Sequence, residues 1–155
     1  MLTADQLTQP FVESTKAVFA TMLGCNVELT DACYCSPLKA ALDLSGIIGF
    51  TGAIRGTILI SMDCNVAFSV AEVLLGSRPT SIDADVRDIV GELANMVGGN
   101  AKERLNHSQV SLGLPTVVSG HGYEISLDPS AEIHQLCFAT PWGPLAVHVA
   151  LRQVA

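Results

Sequence analysis

Apolar and polar positions along this chain repeat with two periods, and the switches between them mark out the elements. Residues 4–23 repeat at helical spacing: Leu7, Phe11, Ala17, Val18 and Met22 can share a face, and Gly24 closes the run. A short strand is expected over residues 26–31. Residues 41–50 and 53–62 are rich in β-formers, most densely at Ile58, Leu59 and Ile60, and Thr51-Gly52 between them suits a turn. They predict an antiparallel pair. Asp63 is placed to cap a helix over residues 65–75 that Gly76 ends. Residues 77–81, with Pro79, form a loop. A long helix is expected from about Asp83 to Leu105, then a polar break over 106–109, then strands over 111–119, 132–139 and 145–151. The last alternates Leu145, Val147, Val149 and Leu151 against Ala146, His148 and Ala150. It carries few blunting charges, so it is expected at a sheet edge where two chains can pair. Helices and hairpins in segregated groups predict a single α+β domain over residues 1–155, with helices packed on one face of a largely antiparallel sheet.

Composition sharpens this picture. The chain has 155 residues, enough for one core, and is 49% hydrophobic but only 15% charged. That balance raises the expectation of surface hidden in a homodimer. A membrane span is the rival account. The charge-free stretch 133–151 contains His134, Gln135, Thr140, His148 and the pair Pro141 and Pro144, which fits two strands and a turn better than a membrane helix. Asp5 and Glu13 stand where a signal peptide would be apolar, so the expectation is a soluble cytoplasmic protein. A net charge of −7 with no basic stripe argues against nucleic acid. Five cysteines, an odd number, suggest no disulfide framework. Cys33 and Cys35 are the one close pair, without a second pair or a histidine at metal spacing. They read as reduced, small apolar side chains ahead of a zinc site. His107, His121, His134 and His148 are scattered and are expected to be hydrogen-bonded or solvated.

The chemistry concentrates in residues 88–102. At 100° per residue, Val86, Ile89, Val90, Leu93, Val97 and Ala101 fall on one side. Asp88, Glu92, Asn95, Gly99 and Lys102 fall on the other, at spacings of four, three, four and three. Asn within a helix costs roughly 0.6 kcal/mol relative to Ala, and each Gly about 1 kcal/mol. A helix that merely supports a core has no need of Asn95 plus Gly91, Gly98 and Gly99. A helix approached closely by another molecule does. Gly99, beside Asn95, would give clearance, although Gly98 and Gly99 equally suit close packing on a sheet. Asp83, Asp85 and Asp88 read as partners of the helix dipole rather than as a metal site. Lys102 continues the outer face. The first helix carries a weaker echo, with Glu13 and Lys16 at the Glu92–Asn95 spacing. Chance amphipathic periodicity accounts for the echo equally well; if it is a repeat, lysine replaces the amide there and only the later helix is competent.

The order Gly52, Arg55-Gly-Thr-Ile-Leu-Ile-Ser61, then Glu92-Leu-Ala-Asn95-Met-Val-Gly-Gly-Asn-Ala-Lys102, then Gly113-Leu-Pro115-Thr-Val-Val-Ser-Gly120, resembles the CheX branch of the CheC/CheX/FliY phosphatases. The resemblance runs from about residue 40 to the end. A bare E-x-x-N carries little weight, but the preceding acid, the Gly-Asn-Ala-Lys continuation and the Leu-Pro-Thr-Val-Val segment make it specific. One such motif is present, as in CheX-like members, where CheC-like members have two. The distance from Asn95 to Pro115 is shorter than in CheC-like members, which points to a different loop outline.

The resemblance implies dephosphorylation of the aspartyl phosphate of a CheY-like response regulator, a homodimer sharing a sheet, and no cofactor or metal of the chain's own. Mg²⁺ would sit in the partner regulator. Hydrolysis of an acyl phosphate passes through a loose transition state and needs mainly a positioned water and neutralised charge. Asn95 can orient that water, since a carboxamide both accepts and donates but does not titrate as a base. The resemblance further implies that Glu92 pairs with the regulator's active-site lysine; Asp88, Gly99 and Lys102, on the same helix face, are expected as further contacts, with a solvated Lys102 as the alternative. The alternative is a docking module of the same fold that binds a regulator or a flagellar switch component without turnover.

Overall fold

The computed structural model describes residues 1–34, 42–105 and 109–154. Helix α1 (Ala4–Leu23) starts on a reciprocal cap: Gln6 N donates to Thr3 Oγ1 at 3.2 Å and Thr3 N to Gln6 Oε1 at 2.9 Å. Gly24 ends it in the left-handed region, at φ 64°. Strand β1 (Glu28–Tyr34) follows, then the hairpin β2 (Leu44–Gly52) and β3 (Ile54–Met62). Asp63 Oδ1 accepts from Val66 N at 2.9 Å to open α2 (Cys64–Leu75). Helix α3 (Ala84–Leu105) precedes β4 (Val110–Leu112), β5 (Thr116–Ser119), β6 (His134–Thr140) and β7 (Gly143–Gln153). Cys35, residue 41, His107 and most of the 106–109 break lie outside the described residues.

The strands form one seven-stranded sheet in the order β1-β6-β7-β3-β2-β4, with β5 pairing β2. Every pair is antiparallel. Two sequence expectations change. Strand β7 lies between β6 and β3, not at an edge. Its lack of charge reflects burial on both faces, since Leu145 through Leu151 are all buried. One edge strand is β1, exposed at all seven positions and carrying Glu28 and Asp31, and β4 and β5 lie at the other edge. The segment 111–119 is two strands, β4 and β5, along one edge of β2. The charge-free stretch 133–151 is the β6–β7 hairpin, as its prolines imply, and among the described residues no helix is long and apolar enough to cross a membrane.

Helices α1, α2 and α3 share their core with one face of the sheet. That face presents Leu44, Ile48 and Phe50 from β2, Ile54, Ile58, Ile60 and Met62 from β3, and Leu145, Val147, Val149 and Leu151 from β7. On β2 a glycine interrupts the row. A Cβ built on Gly46 would lie 2.9 Å from both the Val90 carbonyl oxygen and the Ala94 Cβ, so α3 sits directly on the strand backbone there. The other face is partly covered by the segment after β5, whose Tyr123 hydroxyl lies 2.7 Å from Ser45 Oγ.

The histidines correct another expectation. His121 is exposed and sits 3.1 Å from Asp43, and His134 lies against Tyr34 with ring centroids 4.7 Å apart and the rings tilted by 48°. His148 is 2% exposed on the second sheet face, and neither ring nitrogen has a hydrogen-bond partner among the described residues. Burial pushes its pKa down from 6.5 to about 4, holding the ring neutral. Cys33 is an exposed free thiol, and Cys25, Cys64 and Cys137 are half-buried free thiols.

Candidate functional site

Helix α3 forms where it does because Asp83 Oδ1 accepts from Val86 N at 2.9 Å, Asp85 lies in the first turn, and Lys102 and Arg104 lie in the last. Val86, Val90, Gly91, Leu93, Ala94, Val97, Gly98, Ala101 and Leu105 are buried toward the sheet and α1. The opposite ridge carries Asp88 and Glu92, both exposed, then Asn95, Gly99 and Lys102, all half-buried. Among the described residues, neither the Glu92 carboxylate nor the Asn95 carboxamide has a hydrogen bond or ion pair within the protein. Glu92 and Asn95 stand one turn apart, about 60° around the helix axis.

The echo on α1 differs in electrostatics. Glu13 is held by Arg104 of α3 at 3.0 Å, and Arg104 Nε also donates to Asn100 Oδ1 at 2.7 Å. Ser14 Oγ donates to the Val97 carbonyl at 2.7 Å, tying the two helices together. The acid of α1 is therefore paired within the chain at the surface, and Lys16 occupies the amide position.

An open hollow of about 540 Å³ flanks the α3 ridge, lined by Asn95, Gly99, Lys102, Glu103, Ser111 and Leu112. It brings together three of the residues singled out in the sequence. Asp88 and Glu92 do not line it; they extend the ridge beyond it toward the start of α3. Glu103, Ser111 and Leu112 were missed. Glu103 follows Gly99 by four residues, which was the available signal, whereas Ser111 and Leu112 reach the ridge only through the pairing of β4 with β2.

The glycines of α3 divide by role. A Cβ on Gly99 would meet nothing within 4 Å, so that position is open. A Cβ on Gly98 would meet Ile58, Leu112 and Phe50 at 3.5–3.7 Å, and one on Gly91 would meet Val117 and Pro115 at 3.4–3.6 Å. Gly91 and Gly98 therefore serve packing within the chain, contrary to a reading in which all three clear space for another molecule.

Chemically, the hollow offers a neutral amide that donates and accepts, beside a lysine and a glutamate. That set suits a polar, charged visitor. Among the described residues, no group of three His, Cys, Asp or Glu side chains is placed to hold a metal ion. A second cavity of about 220 Å³ lies on the opposite face of the sheet, with Ser61, Gln135, Cys137, Ala146 and His148 in its wall. No Asp, Glu, Lys or Arg lines it among the described residues, so it is ill-suited to a phosphoryl group.

Comparison with known proteins bears on this ridge. Residues 44–139 match the family model described as chemotaxis phosphatase CheX. A protein named CheY-P phosphatase CheX, from Thermotoga maritima, is 31% identical over 93 residues, which span 58% of this chain and only 60% of that protein. The crystal structure of chemotaxis protein CheX from Vibrio vulnificus is similar at a TM-score of 0.85 and 30% identity, covering 95% of this chain and 99% of that one. A CheX-CheY-BeF3-Mg²⁺ complex from Borrelia burgdorferi contains a chain of the same fold, at a TM-score of 0.78 and 24% identity, covering 95% of this chain and 98% of that one.

Proposed function

This chain belongs to the chemotaxis phosphatase CheX family, and from that premise we propose that it hydrolyses the aspartyl phosphate of a CheY-like response regulator. Asn95 enters the regulator's active site, accepts a hydrogen bond from the attacking water and donates to a phosphoryl oxygen. Because the transition state is loose, holding the water in line is most of the catalytic work. Glu92 anchors the complex by pairing with the regulator's active-site lysine, a charge-assisted contact that keeps Asn95 in register. As a general base beside a phosphoryl group the same carboxylate would be repelled. The Mg²⁺ of the reaction belongs to the regulator, where it neutralises phosphoryl charge. Asp88, Gly99 and Lys102 extend the contact surface along the ridge.

One observation carries this reading: the acid and the amide, a turn apart on an outward ridge, have no partners among the described residues. An unpartnered pair at that spacing is what an incoming active site would need. The name of the Thermotoga relative and the CheY partner in the Borrelia complex support the class of substrate. We further propose a cytoplasmic homodimer in which two copies pair along β1, an edge strand exposed at all seven positions.

The test follows loss of label from a radiolabelled, phosphorylated CheY-like regulator. Wild type should speed the decay, and Asn95→Ala should lower kcat on the order of 10²-fold with KM little changed. Glu92→Gln should mainly raise KM. No acceleration by wild type would replace hydrolysis with docking alone, and a kcat loss at Glu92→Gln equal to that of Asn95→Ala would make Glu92 part of the chemistry.

A further inference from the structure

We infer that Leu114 is an apolar docking knob for the response regulator, set beside the Glu92–Asn95 ridge by a bulge in the neighbouring strand. The inference rests on the function proposed above and names a contact that function does not require. Residues 110–112 pair with Gly52, Thr51 and Phe50 of β2, and residues 116–119 pair with Ile47 through Leu44. Between these ladders, Gly113, Leu114 and Pro115 stand opposite only Ile48 and Gly49. The extra residue makes a bulge, a device that re-aims a side chain.

The bulge is held at both ends. Gly113 N donates to the Gly49 carbonyl at 2.9 Å, and Pro115 packs where a Cβ on Gly91 would lie 3.6 Å away. Its level along α3 follows from its neighbours. Leu112 lies against Gly98, and Pro115 and Val117 lie against Gly91, so Leu114 stands abreast of the intervening turns that carry Glu92 and Asn95.

Leu114 is 91% exposed, whereas the other exposed large apolar residues, apart from the terminal Met1, range from 37% to 66%. A single exposed leucine on a surface is ordinary. One pinned between a glycine and a proline, beside two free polar side chains, loses little entropy when it is covered. The occupant is the regulator surface next to its phosphorylated aspartate, which must offer an apolar dimple to this knob.

The experiment measures KM and kcat with a phosphorylated CheY-like regulator, and binding to the same regulator carrying beryllofluoride, for wild type, Leu114→Ser, Leu114→Met and Leu75→Ser. Leu114→Ser should raise KM and Kd about tenfold, the loss of one buried leucine, with kcat and Tm unchanged. Leu114→Met should restore most of the affinity, and Leu75→Ser, exposed on α2, should match wild type. A KM and Kd within twofold of wild type for Leu114→Ser, or an equal loss for Leu75→Ser, would overturn the inference while leaving the phosphatase reading intact. If wild type binds the beryllofluoride form without turnover and Leu114→Ser still weakens binding, the phosphatase reading falls and Leu114 stands. Wild type that neither binds nor turns over removes both.

Discussion

Replacing Gly46 by alanine tests how closely helix α3 is seated. The added methyl would lie 2.9 Å from the Val90 carbonyl oxygen and 2.9 Å from the Ala94 Cβ, and 3.5 Å from Val90 Cγ1. Non-bonded carbons settle at about 3.5–4.0 Å, and the first two obstacles are backbone or Cβ atoms that cannot rotate away. Helix α3 must therefore rise by roughly 0.5–1 Å. Overpacking of this kind costs about 1–3 kcal/mol, offset by about 0.4–1 kcal/mol from a stiffer unfolded chain. A net loss of about 1–2 kcal/mol corresponds to a Tm lower by about 2–8 °C in a domain of this size. Gly49→Ala, on the same strand but the opposite face, is the control, since its Cβ would meet nothing closer than 4.0 Å. Urea unfolding followed through the single Trp142 measures both variants. The lift also shifts Glu92 and Asn95 relative to the 113–115 bulge, so Gly46→Ala should lose more phosphatase activity than its unfolded fraction explains. Equal stability of the two variants would refute the close seating of α3 on β2.

The remaining predictions need different assays. His148 is held neutral to about pH 4 in the fold but charges near 6.5 when unfolded. The unfolded state therefore binds the extra proton, and stability falls as pH drops below 6.5, by about 2 kcal/mol at pH 5 and somewhat more by pH 4. His148→Leu should remove that part of the slope and, by deleting two unpaired buried nitrogens, should be more stable at pH 8; parallel pH profiles for the two proteins in urea titrations would count against it. Gly99→Ala should gain up to about 1 kcal/mol, because an open helical site takes a methyl freely, while Gly99→Leu should keep its Tm but raise KM for the regulator. A fall in Tm for Gly99→Leu would show that the position is packed. Sedimentation should give a dimer that Thr30→Pro, on the outer strand, converts to monomer, whereas a monomeric wild type would remove the β1 pairing.

Much of the fold was legible in the chain because its punctuation is local. Gly24, Asp63 and Gly76, and Asp83 act on the turn next to them, so most bounds of the described helices followed from single residues, while the reciprocal cap at Thr3 emerged only in the structure. The same holds for the α3 ridge, because helical periodicity alone puts Glu92, Asn95, Gly99 and Lys102 on one side. Pairing between distant strands was decided elsewhere. Strand β7 looked like an edge because it lacks charge, yet a strand buried on both faces lacks charge for a different reason. The bulge at 113–115 depends on β2 presenting two residues where its neighbour has three, a count no local pattern contains. Nor did the chain reveal that Gly46 and Gly91 are contact points of α3, since a glycine is equally silent whether its space is filled or empty. Periodicity and caps are properties of one segment and survive in the sequence; register, close approach and burial belong to pairs of segments and come into being only when the sheet and helices pack.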